Sequence, residues 1–128
     1  MNTPQDVIHA YFERFEAGDA EGVGALFADD ASLMPNGMDT VVGRAAITDT
    51  FRRIAELAEM TCQTLLFNRL QDFGDVVVVE TATRERIRRR SQDESELGDF
   101  RELFCLSRSV DGWAISTYMG NVAARLST

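Results

Sequence analysis

The chain has 128 residues, 45% of them hydrophobic, so it can form one domain over residues 1–128 that folds without a metal or many disulfides. Its net charge of −8 disfavours nucleic-acid binding, and the absence of lysine excludes Schiff-base chemistry and lysine-dependent phosphate loops. With only Cys62 and Cys105, the sequence lacks the cysteine pattern of a disulfide-rich secreted scaffold.

Three helices are predicted in the first half of the chain. Thr3 as cap and Pro4 as first residue begin a helix that ends at Gly18. Asp19 caps a short second helix that extends to about residue 28, and a third runs from about residue 44 to 59. The apolar positions at helical spacing in the first and third helices are Ile8, Tyr11, Phe12, Phe15, Ile47, Phe51, Ile54 and Ala58.

Strand patterns dominate the second half. Short strands are predicted at residues 31–34 and 40–42, and longer ones at 61–70 and 76–90 on either side of a turn at 72–75. Residues 92–99 are polar and predict a loop, whereas the strands 100–110 and 113–122 flank a hairpin signal, Asp111-Gly112. Helices followed by antiparallel strands predict an α+β class, with the helices packed on one face of the sheet.

The last hairpin suggests a candidate catalytic group. A two-residue loop at Asp111-Gly112 would place Phe104 opposite Met119 and Glu102 opposite Asn121, all on the face covered by the helices. Desolvation at that apolar boundary would raise the pKa of Glu102, which makes it a candidate general acid or base. The alternative is a solvated strand end at which Glu102 pairs with an arginine.

Arginines at alternate positions from 84 to 90 share one face of the predicted strand 76–90. They could grip an anionic ligand through the planar guanidinium, and Arg84 is the best candidate because it lies nearest the strand centre. The alternative is cross-strand pairing with Glu80, Glu85 or the acids of residues 92–99.

The histidine and cysteine content of the sequence does not indicate a metal site or a catalytic thiol. His9 is the only histidine and has no ligand-like spacing to the two cysteines, so we expect no metal site and no cysteine nucleophile. Met34 and Met38 flank the turn at residues 35–37, where they could either contact an apolar ligand or fill the core.

Three segments resemble the nuclear transport factor 2-like superfamily, which includes ketosteroid isomerases and SnoaL-like polyketide cyclases. They are Ala10–Asp19, Leu26–Leu33 and Val42–Ile47, and residues 101–119 are similar to the small bacterial SnoaL-like branch. The resemblance implies a cystatin-like cone, in which a curved sheet wraps around the helices and leaves a pocket at the open end. It also implies a homodimer through the outer sheet face, here carrying Leu103, Cys105, Ala114 and Tyr118.

The comparison with ketosteroid isomerases also bears on mechanism. Tyr11 matches the tyrosine that stabilises an oxyanion, and Glu102 lies near the position of the second oxyanion acid. The general base of that family falls at Pro35, which cannot accept a proton, so steroid isomerisation by that mechanism is disfavoured. Asp39 could supply a carboxylate from the neighbouring loop.

From these patterns we expect a homodimeric protein whose cone binds an apolar or aromatic small molecule without a cofactor. If it is an enzyme, Glu102 would act as acid or base, and Tyr11 would stabilise negative charge, in an isomerisation, cyclisation or dehydration. Two rivals are a non-catalytic assembly module and a carrier that performs no chemistry. The expected ligand-binding residues are Phe15, Met34, Phe51, Arg84, Phe104, Met119 and Asn121, beside Tyr11, Glu102 and Asp39.

The start of the sequence has no basic stretch followed by an apolar run, and the longest purely apolar run is Val76–Val79. We therefore expect a cytoplasmic protein with reduced thiols that does not act at a membrane.

Overall fold

The structure, a computed structural model, describes residues 3–123. Within them a six-stranded sheet has the order β2-β1-β6-β5-β4-β3. The elements in chain order are α1 (Pro4–Glu16), α2 (Ala20–Gly24), β1 (Phe27–Met34), β2 (Val41–Val42), α3 (Arg44–Leu57), β3 (Ala58–Asp72), β4 (Val76–Arg89), β5 (Glu96–Ser109) and β6 (Gly112–Val122). The predicted α+β class is confirmed.

The start signals of the first two helices behave as predicted. The hydroxyl of Thr3 accepts a hydrogen bond from the backbone N–H of Asp6 at 3.1 Å, and the Asp19 carboxylate accepts one from Gly22 at 2.9 Å. The second helix is nevertheless shorter than predicted, because the chain joins the sheet at Phe27, which is fully buried and lies beside Ile115 of β6. Burial of that side chain between strands outweighs the weak helical preference of a segment with two glycines.

The predicted loop at residues 92–99 is also partly wrong, since β5 begins at Glu96 and continues the ladder beside Ile87 of β4. One of its acids, Asp99, lies across from an arginine of β4. The carboxylate of Asp99 accepts a hydrogen bond from Nε of Arg84 at 2.8 Å, directly across the two strands. Opposite charges at paired positions allow a very polar segment to remain in a sheet.

The core lies between the helices and the inner face of the sheet. At its centre, Tyr11 of α1 is 2% exposed and packs against Phe104 of β5, with the ring centroids 5.4 Å apart. Phe51 of α3 and Phe27 of β1 contact the same tyrosine ring. Aromatic rings at such separations add stabilisation beyond the area that they bury.

The last hairpin has a different register from the predicted one. Its two-residue loop is Val110-Asp111, and Ser109 pairs with Gly112, whose φ of +108° suits glycine. Further along, β6 contains one extra residue, because Leu106 pairs with Ile115 but Cys105 pairs with Thr117. Such a bulge reverses the face to which every following side chain points.

The reversal moves two pairs of residues on β6. Tyr118 and Gly120 now face the helices, and both are buried. Met119 is 39% exposed, and it lies with Asn121 on the outer face. The expectation that Met119 and Asn121 share the helix-covered face is therefore wrong, as is the expectation that Tyr118 belongs to the outer face.

Candidate functional site

A cavity of about 270 Å³ opens between α1, α3 and the inner face of the sheet. Most of its wall is apolar, and the polar groups are concentrated in two tyrosines, two glutamates and one asparagine. The lining residues are Tyr11, Phe15, Leu33, Pro35, Asn36, Met38, Phe51, Ile54, Met60, Glu85, Ile87, Phe100, Glu102, Tyr118 and Gly120. An apolar pocket with a few convergent polar groups is the usual form of a small-molecule site.

Two tyrosine hydroxyls meet in this cavity. The rings of Tyr11 and Tyr118 have centroids 5.4 Å apart, and their hydroxyls are hydrogen-bonded to each other. Burial raises the pKa of both hydroxyls well above the ordinary value, so both stay protonated near neutral pH. Each hydroxyl carries one proton and only one of the two is used in the bond between them, so the other remains available to a ligand oxygen.

Gly120 makes room for the Tyr118 hydroxyl. A Cβ at position 120 would lie only 2.5 Å from Oη of Tyr118 and 3.1 Å from its Cζ. Glycine at this position therefore allows the tyrosine to reach across the strand into the cavity.

Glu102 is 5% exposed and firmly held by two threonines of β4. Its Oε1 accepts a hydrogen bond from the hydroxyl of Thr81 at 2.8 Å, and its Oε2 accepts one from Thr83 at 2.7 Å. Burial raises the pKa of this carboxyl, and the two hydroxyl donors oppose that rise because they stabilise the charged form. Because both oxygens of Glu102 accept hydrogen bonds, this side chain is held in one position.

Glu85 is the second carboxyl of the cavity and is also 5% exposed. It follows Thr83 by two positions on β4 and so faces the same side. Within residues 3–123, no group donates a hydrogen bond to its side chain. Burial, followed by the negative charges of Glu102 and Glu16, raises its pKa to about 7. A carboxyl that titrates near neutrality can both take up and release a proton at working pH.

The sequence reasoning missed both Glu85 and Tyr118 as site residues. Glu85 stands within an arginine-rich run, where the sequence pattern indicates an ion-pair partner. A usable signal was present, because alternation from Thr81 and Thr83 places it on the inner face. No signal in the sequence identified the bulge that turns Tyr118 inward.

Four predicted site residues do line the cavity together, namely Tyr11, Phe15, Phe51 and Glu102. Phe104 lies behind them, fully buried and packed against both tyrosine rings, so it supports the wall without lining it. Pro35, at the position that the resemblance gave to the family base, also lines the cavity and carries no proton acceptor on its side chain.

The remaining predicted residues lie elsewhere. Met34 pairs with Met119 on the outer side because its buried neighbour Leu33 takes the inward position on β1. Asn121 accepts a hydrogen bond from Arg101 at 2.7 Å on the outer face, and Asp39 is exposed beside the lining residue Met38. Met34, Asn121 and Asp39 are therefore not among the residues that line this cavity.

Arg84 does not line the cavity either. It lies on the outer face, since its neighbours Thr83 and Glu85 point inward, and its Nε is 2.8 Å from a carboxylate oxygen of Asp99. That ion pair agrees with the alternative of cross-strand pairing.

The histidine and the two cysteines are not among the residues that line the cavity. His9 is exposed and its ring packs on Phe67, with centroids 5.2 Å apart. Burial raises the pKa of the Cys62 thiol to about 11, which leaves it unreactive near neutral pH. Across the described part of the chain, no three His, Cys, Asp or Glu side chains are grouped to hold a metal ion. None of the helices in residues 3–123 has the length and hydropathy of a membrane-spanning segment.

Comparison with known proteins places this geometry in context. The model of a SnoaL-like domain family matches residues 8–105. A ketosteroid isomerase-like protein from Erwinia carotovora atroseptica superposes with a TM-score of 0.85 at 22% identity over 94% of each chain. A proposed dehydratase of the NTF2-like family from Streptomyces avermitilis gives 0.77 at 15% identity, again over 94% of each chain.

A third similar structure is a proposed calcium/calmodulin-dependent protein kinase type II association domain from Thiobacillus denitrificans. It gives a TM-score of 0.81 at 20% identity and covers 97% of this chain and 98% of that chain. At these identities the likeness shows the fold alone, and it confirms the nuclear transport factor 2-like fold expected from the sequence.

Proposed function

The chain belongs to the SnoaL-like domain family, and from this premise we propose that its cavity binds a small, mainly apolar molecule and acts on it by cofactor-independent acid/base chemistry. The reaction class is isomerisation, cyclisation or dehydration. One observation carries the proposal: a buried carboxyl that titrates near neutrality and a tyrosine pair with a free hydroxyl proton line the same apolar cavity.

In this proposal Glu85 is the general base. Its ionised form removes a proton from a carbon next to a carbonyl group, and its protonated form returns that proton elsewhere on the substrate or to a departing hydroxyl group. The pKa of about 7 supports both steps, because neither form dominates at neutral pH. Glu85 would thus supply from β4 the proton acceptor that Pro35 lacks.

Tyr118 is the electrophilic group. Its hydroxyl would donate to the carbonyl oxygen of the substrate, and its hydrogen bond with Tyr11 would strengthen that donation as negative charge develops. Glu102 would be held in place by its hydrogen bonds from Thr81 and Thr83. Loss of a single donor of this kind slows turnover by about a hundredfold or more in well-studied enzymes.

The test needs no knowledge of the natural substrate. 2-Tetralone is a compact apolar ketone whose exchangeable α-protons can be followed by NMR in D₂O. We expect the protein to accelerate this exchange, and we expect Glu85→Gln to lower the acceleration by about a hundredfold. Tyr118→Phe should lower it as well.

The matched control is Glu80→Gln. Glu80 lies on the same strand but on the outer face, near Arg69, so its replacement should leave the exchange unchanged. Acceleration that survives in Glu85→Gln, or that falls equally in both variants, would contradict the assignment of Glu85 as base.

We also propose that the protein is a homodimer joined through the outer sheet face. Leu66, Leu103 and Met119 are 46%, 36% and 39% exposed there, on three different strands. Apolar side chains grouped on a sheet face mark a surface that gains from being covered. A dimeric mass by native mass spectrometry is expected, and a monomer at micromolar concentration would refute this proposal.

The alternative function is a non-catalytic dimeric module for ligand binding or assembly, which the same outer face favours. It predicts a dimer without any acceleration of exchange. We propose a cytoplasmic location in either case, because Cys62 and Cys105 are both free thiols, which suits a reducing compartment.

A further inference from the structure

The charges around the cavity all have one sign. Glu85 and Glu102 line it, and Glu16 of α1 is close enough to raise the pKa of Glu85. No arginine or histidine is among the lining residues of the described chain, and the lysine-free sequence offers no other cationic side chain. The cavity therefore attracts positive charge and repels negative charge.

Glu85 supplies a second, independent observation. Glu85 is 5% exposed as a residue, it lines the cavity, and no group within residues 3–123 donates a hydrogen bond to its carboxyl. Buried carboxyls in proteins are usually paired or hydrogen-bonded, as Glu102 is by its two threonines. The carboxyl of Glu85 is therefore free to accept a hydrogen bond from a donor group on a ligand in the cavity.

The rest of the wall suits a cation with an apolar body. Aromatic rings from α1, α3, β5 and β6 surround the carboxyls, and ring faces attract ammonium groups as well as apolar surface. The ring-bearing lining residues are Tyr11, Phe15, Phe51, Phe100 and Tyr118.

We infer that the cavity selects an aromatic or alicyclic amine, bound as its ammonium ion between Glu85 and Glu102 with its apolar body among the aromatic rings. An ammonium at this place relieves the repulsion between the two carboxyls and donates to the open oxygen atoms of Glu85.

This inference rests on the proposed use of the cavity as a ligand site, and it adds the charge class of the ligand. Three probes share a phenyl ring and a short chain but differ in charge: 2-phenylethylamine, 2-phenylethanol and phenylacetate. We expect calorimetric titration at pH 8 to give a Kd for the amine about tenfold or more below that of the alcohol, with phenylacetate weakest.

Variants locate the source of the preference. Glu85→Gln should abolish most of the preference for the amine while leaving the affinity for the alcohol nearly unchanged. Glu80→Gln, which alters the outer face of the same strand, should retain the full preference. Circular dichroism and thermal unfolding would show that both variants are folded.

A measurement on the unmodified chain avoids any question of folding. Amine affinity should fall as pH decreases from 8.5 to 5.5, because protonation of Glu85 removes its charge. Other titratable groups face Glu85 from the elements packed around it, namely Tyr11 and Glu16 of α1, Cys62 of β3, Glu102 of β5 and Tyr118 of β6. The residues that α3 adds to the lining, Phe51 and Ile54, do not titrate.

The outcomes separate the two proposals. Equal affinity for amine and alcohol, tighter binding of phenylacetate, or no binding of the amine at pH 8 would each overturn the charge inference. If 2-tetralone exchange still depends on Glu85, the proposed function stands without it. If the amine binds as expected but exchange is not accelerated, the charge inference stands and the catalytic proposal fails.

Discussion

Replacement of Gly120 by alanine tests how the Tyr118 hydroxyl is placed. The new methyl group would lie 2.5 Å from Oη and 3.1 Å from Cζ of the tyrosine, and nothing in the backbone opposes alanine because φ at this position is not positive. The tyrosine must therefore move, which breaks its hydrogen bond with Tyr11. Forced repacking of this kind costs about 1–3 kcal/mol, less a gain of about 0.5–1 kcal/mol from removing a glycine within a strand.

The same substitution in a Tyr118→Phe background isolates the cause. Phenylalanine lacks the oxygen atom that the methyl group meets most closely, so Gly120→Ala should be nearly neutral there. We expect a coupling free energy of about 1 kcal/mol or more between the two sites. The four proteins of this cycle would be compared by urea unfolding at pH 7, with m-values checked for constancy.

The exchange assay gives a second readout of the cycle. Gly120→Ala should slow 2-tetralone exchange about as much as Tyr118→Phe does, and the double variant should be no slower than either single variant. Equal destabilisation by Gly120→Ala in both backgrounds would refute the reasoning, because the contact with the hydroxyl would then not be the cause.

Three further predictions concern the carboxyls and the outer face. The pKa of Glu85 is raised from 4.5 to about 7 in the folded state, so the folded state binds this proton more tightly than the unfolded state does. The stabilisation that the bound proton gives is present below the unfolded pKa and is lost as pH rises through 7. Urea unfolding should therefore show Glu85→Gln more stable than wild type by up to roughly 3 kcal/mol at pH 8, with little difference near pH 5. Thr83→Val removes a 2.7 Å hydrogen bond to Glu102 and should lower the free energy of unfolding by about 1–3 kcal/mol at pH 7, whereas an unchanged urea midpoint would mean that this bond does not hold the carboxylate. Arg84→Ala breaks only a partly exposed pair with Asp99 and should change stability by about 0–1 kcal/mol and leave probe affinity unchanged; weaker binding would return Arg84 to the ligand site.

Local signals determined much of the fold. Thr3 and Asp19 cap their helices as predicted, because a cap depends on side chains within three residues of the helix start. The long strands and the inward side of β5 also follow from alternation alone, which is why the burial of Glu102 could be expected.

The predicted site was correct where a residue's facing depended on its own helix or strand. Tyr11, Phe15 and Phe51 line the cavity because helical spacing places them on the inner faces of α1 and α3. Phe104 was placed on the correct face of its strand, but the sequence could not show that other rings would cover it.

Tertiary structure decided the remainder. The bulge between Ile115 and Thr117 exists only relative to β5, and it exchanges Met119 for Tyr118 at the cavity wall. Glu85 is a polar residue within an arginine-rich run, so its own sequence context did not indicate that it faces the cavity. The partners of those arginines lie on neighbouring strands. Strand register and charge pairing depend on contacts between segments that are distant in the chain, so their energies arise only once those segments meet. These contacts bring Tyr118 and Glu85 into the cavity beside Tyr11 and Glu102.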